Sequence, residues 1–163
     1  MTNFSFSEAT NFDATCCDLK GRSPREIFSE LLSGSGYCSE VRARLVDKLC
    51  RREELGSTGL TGGIAMPHAN DDVVATLTCF IGVSHDGVDW NATDDQPVRL
   101  FLLTVSNGSR QRDYYRAGAY NATCLRRPGF VESLINADST DEMRQILLTA
   151  DEEMSSVNLE EAF

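Results

Sequence analysis

The chain has 163 residues, a net charge of -10, 41% hydrophobic and 8% aromatic residues, which fits one globular domain able to bury about two thirds of its unfolded surface. Such an acidic balance argues against a nucleic-acid partner, whose phosphates it repels, and favours a basic protein partner. Six cysteines without framework spacing predict reduced thiols in a cytoplasmic protein rather than a disulfide scaffold. With only two histidines there is no zinc pattern, so neither a metal nor a cofactor is expected. No leader and no apolar run of spanning length is read in the sequence, so no membrane insertion is expected.

Residues 1–13 are polar with scattered phenylalanines and are read as a flexible N-terminal arm. Ordered structure is expected over 14–150. Ser23-Pro24-Arg25-Glu26 is a capping box with proline in the first helical turn. Ile27, Phe28, Leu31 and Leu32 continue it as one apolar stripe that stops at Gly34-Ser35-Gly36. A second helix is predicted from about Ser39 to Glu54, with Val41, Leu45 and Leu49 on one face.

Residues 75–83 alternate as a strand with one face more buried than the other. Gly87 to Trp90 reads as a short edge piece, with His85 exposed on the connection before it. The nearly continuous apolar run 98–105 is predicted to be a central strand covered on both faces. A helix over 112–126, a short amphipathic stretch from Phe130 to Ile135 and a capping box at Ser139-Thr140-Asp141-Glu142 follow. Residues 151–163 read as an acidic, weakly structured C-terminal tail.

Between the second helix and the first strand lies the stretch that carries chemistry. Gly56-Ser57-Thr58-Gly59-Leu60-Thr61-Gly62-Gly63 leads into Ile64-Ala65-Met66, then Pro67 and His68. Proline holds the residue before it in extended geometry, so Met66 is expected to close a strand and His68 to lie just beyond it. The loop lacks the Gly-Lys-Ser/Thr ending of a phosphate-binding nucleotide loop, which disfavours nucleotide binding. By pattern alone His68 is a candidate site and also an ordinary loop or core histidine.

Arg52-Glu53-x-Leu55-Gly56-Ser57-Thr58-Gly59-Leu60, followed by Gly63-Ile64-Ala65-Met66-Pro67-His68-Ala69, resembles the signature of fructose/mannitol-type enzyme IIA domains of the bacterial phosphotransferase system. The free-standing nitrogen-regulatory IIA proteins belong to that group. The resemblance implies a single α/β domain with a mixed β-sheet flanked by helices. It also implies that His68 takes a phosphoryl group from the phosphocarrier protein HPr, as a phosphohistidine transferase component. Arg52 has two roles open to it: a cation complementing the helix C-terminus, or, as the resemblance favours, a guanidinium stabilising the phosphoryl group. Ser57 and Thr58 are candidate hydroxyl donors to that group.

Two departures from the family's pattern stand out. Tyr114 falls about where members carry a second histidine, and either offers a hydroxyl or packs as an aromatic. Asn70-Asp71 replaces a basic residue that often follows the phosphorylated histidine, and Asp71 and Asp72, if they face His68, disfavour an added dianion. The expected function is a phosphoryl acceptor with a regulatory role. Two alternatives stay open: a carrier passing phosphate to a sugar-transporter IIB domain, and a IIA-shaped binding module that is never phosphorylated.

Overall fold

The computed structural model describes residues 4–160. The elements run α1 (Phe6–Ala9), a 3-10 turn (Phe12–Ala14), α2 (Pro24–Ser33), α3 (Ser39–Glu54), β1 (Gly59–Leu60), β2 (Ile64–Ala65) and β3 (His68–Asn70). They continue with β4 (Thr78–Val88), β5 (Val98–Ser106), α4 (Gln111–Leu125), α5 (Phe130–Ile135) and α6 (Thr140–Glu160).

The five strands form one mixed sheet centred on β5. β4 pairs antiparallel along one edge of β5, and β2 and β3 pair parallel along the other. Ile64 opposes Leu100, Ala65 opposes Phe101 and His68 opposes Thr104, so β2 and β3 keep one register. They are a single line interrupted at Met66 and Pro67, with β1 pairing antiparallel on the outer side of β2 and β3 left at the edge, and the carbonyl of Pro67 still accepts from the Thr104 amide at 3.0 Å. His68 therefore does not lie beyond a strand, as the proline suggested, but opens the second half of one.

Alternation along the strands feeds two cores. Phe80, Val98, Phe101, Leu103 and Val105 pack with Ile27, Phe28, Leu31, Leu45 and Leu49 of α2 and α3. Cys79, Ile81, Val83, Leu100 and Leu102 pack with Cys124, Phe130, Leu134, Met143 and Leu147 of α4, α5 and α6. The sheet is thus the middle of three layers, and β5 is covered on both faces as its apolar run required. β4 is buried on both faces from Cys79 to Ser84, not mainly on one. It also runs through to Val88 past a register shift after Val83, taking in Gly87 and Val88 of the piece expected to stand apart. His85 is exposed there.

The capping box of α2 forms as read: Ser23 Oγ accepts from the Glu26 amide, Glu26 accepts from the Ser23 amide, and Pro24 opens the helix. The six cysteines are all free.

Both chain ends differ from expectation. Phe6 is fully buried, and the Asp151 carboxylate accepts from the Phe6 and Ser7 amides, both at 2.9 Å, and from Ser5 Oγ at 2.8 Å, Ser7 Oγ at 2.6 Å and the Tyr120 hydroxyl at 2.5 Å. Residues 10–19 then follow the outer edge of β4, with Asn11, Cys16 and Leu19 amides donating to Cys79, Ile81 and Val83 carbonyls. The described part of the arm thus covers an edge strand, a position that otherwise leaves backbone groups unpaired. α6 continues to Glu160 through much of the segment read as a tail; residues 1–3 and 161–163 lie outside the described residues.

Candidate functional site

α3 ends at Glu54, and Arg51 and Arg52 lie in its last turn, where cations complement the unpaired carbonyls. Arg52 Nη1 donates to the Gly56 carbonyl at 2.8 Å. Glu53 turns the chain into the loop: one carboxylate oxygen accepts from the Thr58 amide and the other from Thr58 Oγ1, both at 2.7 Å. Thr58 Oγ1 also accepts from the Trp90 indole at 3.3 Å. Ser57 Oγ donates to the Trp90 carbonyl at 2.5 Å and accepts from the Gly59 amide at 3.0 Å. Both hydroxyls expected to reach a phosphoryl group are therefore held in the architecture of the loop, and Thr58 is buried.

Strand alternation decides where His68 points. Ala65 and Ala69 face the core under α2 and α3, whereas Ile64 and Met66 face the core under α4 to α6, so His68 shares their side. There it meets Tyr114 from the first turns of α4, with ring centroids 5.2 Å apart and planes tilted by 45°. Tyr115, 67% exposed, packs edge-on against Tyr114 with centroids 5.6 Å apart. The structure thus brings Tyr114 against His68, two elements that the sequence separates by 46 positions on the chain's own numbering.

His68 is half-buried, and its Nδ1 lies 3.5 Å from the Met66 carbonyl. A carbonyl only accepts, so this contact favours the tautomer with the proton on Nδ1, which leaves the lone pair on Nε2. Burial pushes the imidazole below its ordinary value and the Arg52 charge adds to this, against opposing contributions from the Met66 carbonyl and Glu53. Burial also pushes the Tyr114 phenol up, with Arg52 opposing. Tyr114 keeps its proton at neutral pH and stands as a donor. Arg52 acts on both rings and so belongs to the same cluster.

The two aspartates that follow His68 do not face it. The Asp71 side chain is fully buried and ion-paired at 2.7 Å to both Arg44 Nε and Lys48 Nζ of α3. Asp72 is exposed, with its carboxylate beside Gly108. The expected repulsion of a dianion by Asp71 is corrected accordingly: alternation sends residue 71 to the α3 side of the sheet, where two cations offset it. Sequence reading attached no role to Arg44 and Lys48; their spacing of four before Arg52 on one helix was the available signal.

Four clefts of about 300 to 420 Å³ open elsewhere on the surface, none of them lined by His68. Among the described residues there is no cluster of His, Cys, Asp and Glu able to hold a metal ion and no helix long and apolar enough to cross a membrane.

Fold and site together define a three-layer α/β domain whose edge strand presents a neutral, half-buried histidine between a helix C-terminus and a tyrosine. Residues 19–150 match the family described as phosphoenolpyruvate-dependent sugar phosphotransferase system, EIIA 2, and the chain belongs to that family. It is 28% identical over 122 residues to a PTS system fructose-specific EIIA component from Haloferax volcanii, covering 75% of this chain and 79% of the other. It is 27% identical over 137 residues to a nitrogen regulatory protein from Klebsiella oxytoca, covering 82% of each. Among solved structures, the nitrogen regulatory protein IIA-Ntr from Neisseria meningitidis superimposes with a TM-score of 0.77 at 27% identity, covering 86% of this chain and 97% of that one. The IIA mannitol domain from Escherichia coli shares the fold, with a TM-score of 0.68 at 22% identity over 84% of this chain and 97% of that one.

Proposed function

We propose that this protein accepts a phosphoryl group on His68 Nε2 from an HPr-like phosphocarrier and that its phosphorylation state serves a regulatory role. The observation that carries the reading is the His68 environment: Nδ1 held toward the Met66 carbonyl at 3.5 Å, a Tyr114 ring 5.2 Å away and the Arg52 charge close enough to lower the imidazole pKa. A neutral imidazole with its free lone pair on one nitrogen is the form that attacks phosphorus.

The step is an in-line transfer. The Nε2 lone pair forms a bond to phosphorus as the bond to the donor's leaving atom breaks, and that atom keeps the bonding electron pair. The Nδ1 proton remains on the ring. Little covalent chemistry falls to the protein, so positioning and charge stabilisation dominate. Arg52 supplies a guanidinium fork for phosphoryl oxygens, and the Tyr114 hydroxyl stands where a neutral donor is wanted. Tyr115, exposed and packed against Tyr114, leaves aromatic surface beside the site, and Leu55 is exposed at the end of α3; such apolar surface suits a protein as phosphoryl donor.

Similarity to nitrogen regulatory proteins in two comparisons supports regulation. Carriage to a IIB domain is the second reading, favoured by the fructose-specific relative and by the fold shared with IIA mannitol solved in complex with phosphorylated IIB mannitol. The test is intact mass after incubation with phosphoenolpyruvate, enzyme I and HPr, with His68→Ala as control. An acid-labile phosphoryl addition absent from the control supports the acceptor, and its discharge by a IIB domain then distinguishes carrier from regulator. No addition with active partners leaves a IIA-shaped binding module.

A further inference from the structure

α3 and β3 lie side by side in opposite order. Arg44, Lys48 and Arg52 follow one another at intervals of four along α3, so they share one face of the helix. Arg44 and Lys48 both grip the Asp71 carboxylate at 2.7 Å, Lys48 Nζ also donates to the Asn70 carbonyl at 2.9 Å, and one turn further along α3 the Arg52 charge acts on the His68 imidazole. The lengths agree: eight residues of helix span about 12 Å, and the strand from 68 to 71 about 10 Å.

We propose that Asp71 is a positioning residue, which by holding Arg44 and Lys48 fixes α3 against the edge strand and so sets the Arg52 guanidinium beside His68. This rests on the reading of His68 as phosphoryl acceptor and Arg52 as its stabilising cation. Asp71 is well anchored for the purpose. Its Oδ1 accepts from the Val73 amide at 3.0 Å and its backbone amide donates to the Ser106 carbonyl at 2.9 Å, so the carboxylate is fixed to β5 through its own main chain. Burial works to raise its pKa, but Lys48, the Val73 amide and Arg44 more than offset that and hold the carboxyl ionised. A fully buried carboxylate gripped by two cations of one helix resists sliding of that helix, because any shift leaves the charge unpaired in a dry site. Arg52 is one turn beyond Lys48 and moves with it.

The groups that act on the His68 imidazole are Arg52 and Glu53 from α3, the Met66 carbonyl and the Tyr114 ring from α4. Arg52 pushes the imidazole pKa down, so its displacement is read as a rise. Removing the Asp71 charge directly acts in the opposite sense, since losing a nearby anion makes protonation harder. The two mechanisms therefore differ in sign.

The experiment is an NMR titration of the His68 ring in the full chain, in the parent, Asp71→Asn, Arg52→Gln and the double variant. The expected result is an upward shift in Asp71→Asn and in Arg52→Gln, with the double variant no higher than Arg52→Gln alone. A downward or absent shift in Asp71→Asn, or one that persists in the Arg52→Gln background, overturns the proposal. If Asp71→Asn does not fold, Lys48→Gln replaces it: its upward shift must shrink in the Arg52→Gln background, and an equal shift in both backgrounds overturns the proposal. Phosphoryl uptake from HPr is followed in the same samples and is expected to fall about tenfold or more in Asp71→Asn. Absence of uptake in the parent would remove the acceptor reading while leaving the titration to decide the positioning role.

Discussion

The phenol ring of Tyr114 packs against the imidazole of His68 at a centroid distance of 5.2 Å, joining the first turns of α4 to the edge strand. A phenol holds its proton at neutral pH, and burial pushes this one further up. Tyr114→Phe keeps the packing and removes the donor. If the hydroxyl bonds a phosphoryl oxygen, the lost charge-assisted bond is worth about 1.5–3 kcal/mol, so the initial rate of uptake should fall roughly tenfold to hundredfold. An unchanged rate would assign Tyr114 to packing alone.

Arg52 and burial together keep His68 neutral, which sets a pH dependence. The unfolded imidazole titrates near 6.5 and the folded one below it. Between these values the unfolded chain binds the proton and the folded chain does not, so this contribution to stability is present above 6.5 and is lost as pH falls through the folded value. Phosphoryl uptake should have an acid limb below pH 6.5, and Arg52→Gln should move that limb upward while lowering the plateau. Rate profiles from pH 5 to 8 check both, and a limb that stays in place in the variant would contradict the assigned charge effect.

Asp151 ties the N-terminal segment to α6 through four donors, two of them backbone amides, and accepts a fifth bond from Tyr120 of α4. Burial alone would raise its pKa; the hydrogen bonds from Ser7, Tyr120 and Phe6 more than reverse this and hold it below the ordinary value of 3.8. Its contribution to stability is present above that value and is lost as pH falls through the folded one. Asp151→Asn should cost about 2–3 kcal/mol at pH 7 and less near pH 3, measured by urea unfolding at both. An equal loss at both pH values would show that the charge is not what holds the segment.

Gly82 lies in β4 where a Cβ would come within 2.5 Å of Leu19 Cδ1 and 2.6 Å of Leu31 Cδ2. Gly82→Ala overpacks the contact between the sheet, α2 and the segment preceding it. A destabilisation of about 1–3 kcal/mol is expected, with His68 titration unchanged because the site lies on the opposite edge of β5. Denaturant midpoints and the NMR titration together test the separation.

The sequence by itself determined the local elements and singled out His68 as the candidate acceptor. Ser23, Pro24 and Glu26 specify the start of α2 by chemistry confined to four consecutive residues. The run at 98–105 marks the central strand because burial on both faces requires continuous apolar side chains. His68 was legible through the residues around it, and so was the proximity of Tyr114, through its place relative to the second histidine of related proteins.

What only the tertiary structure decided depends on which surfaces meet. Pro67 stops a strand in isolation, yet here its carbonyl still accepts from the Thr104 amide of β5, and the register resumes at His68. Ser57 and Thr58 look like free donors in a loop until Trp90 and Glu53 claim them. Asp71 reads as a hindrance beside His68 until strand alternation turns it toward Arg44 and Lys48. The polar N-terminal segment gains its order from Asp151, about 145 residues away. Short-range rules of capping and periodicity say nothing of such pairings, because their energy exists only once distant segments have excluded water from between them.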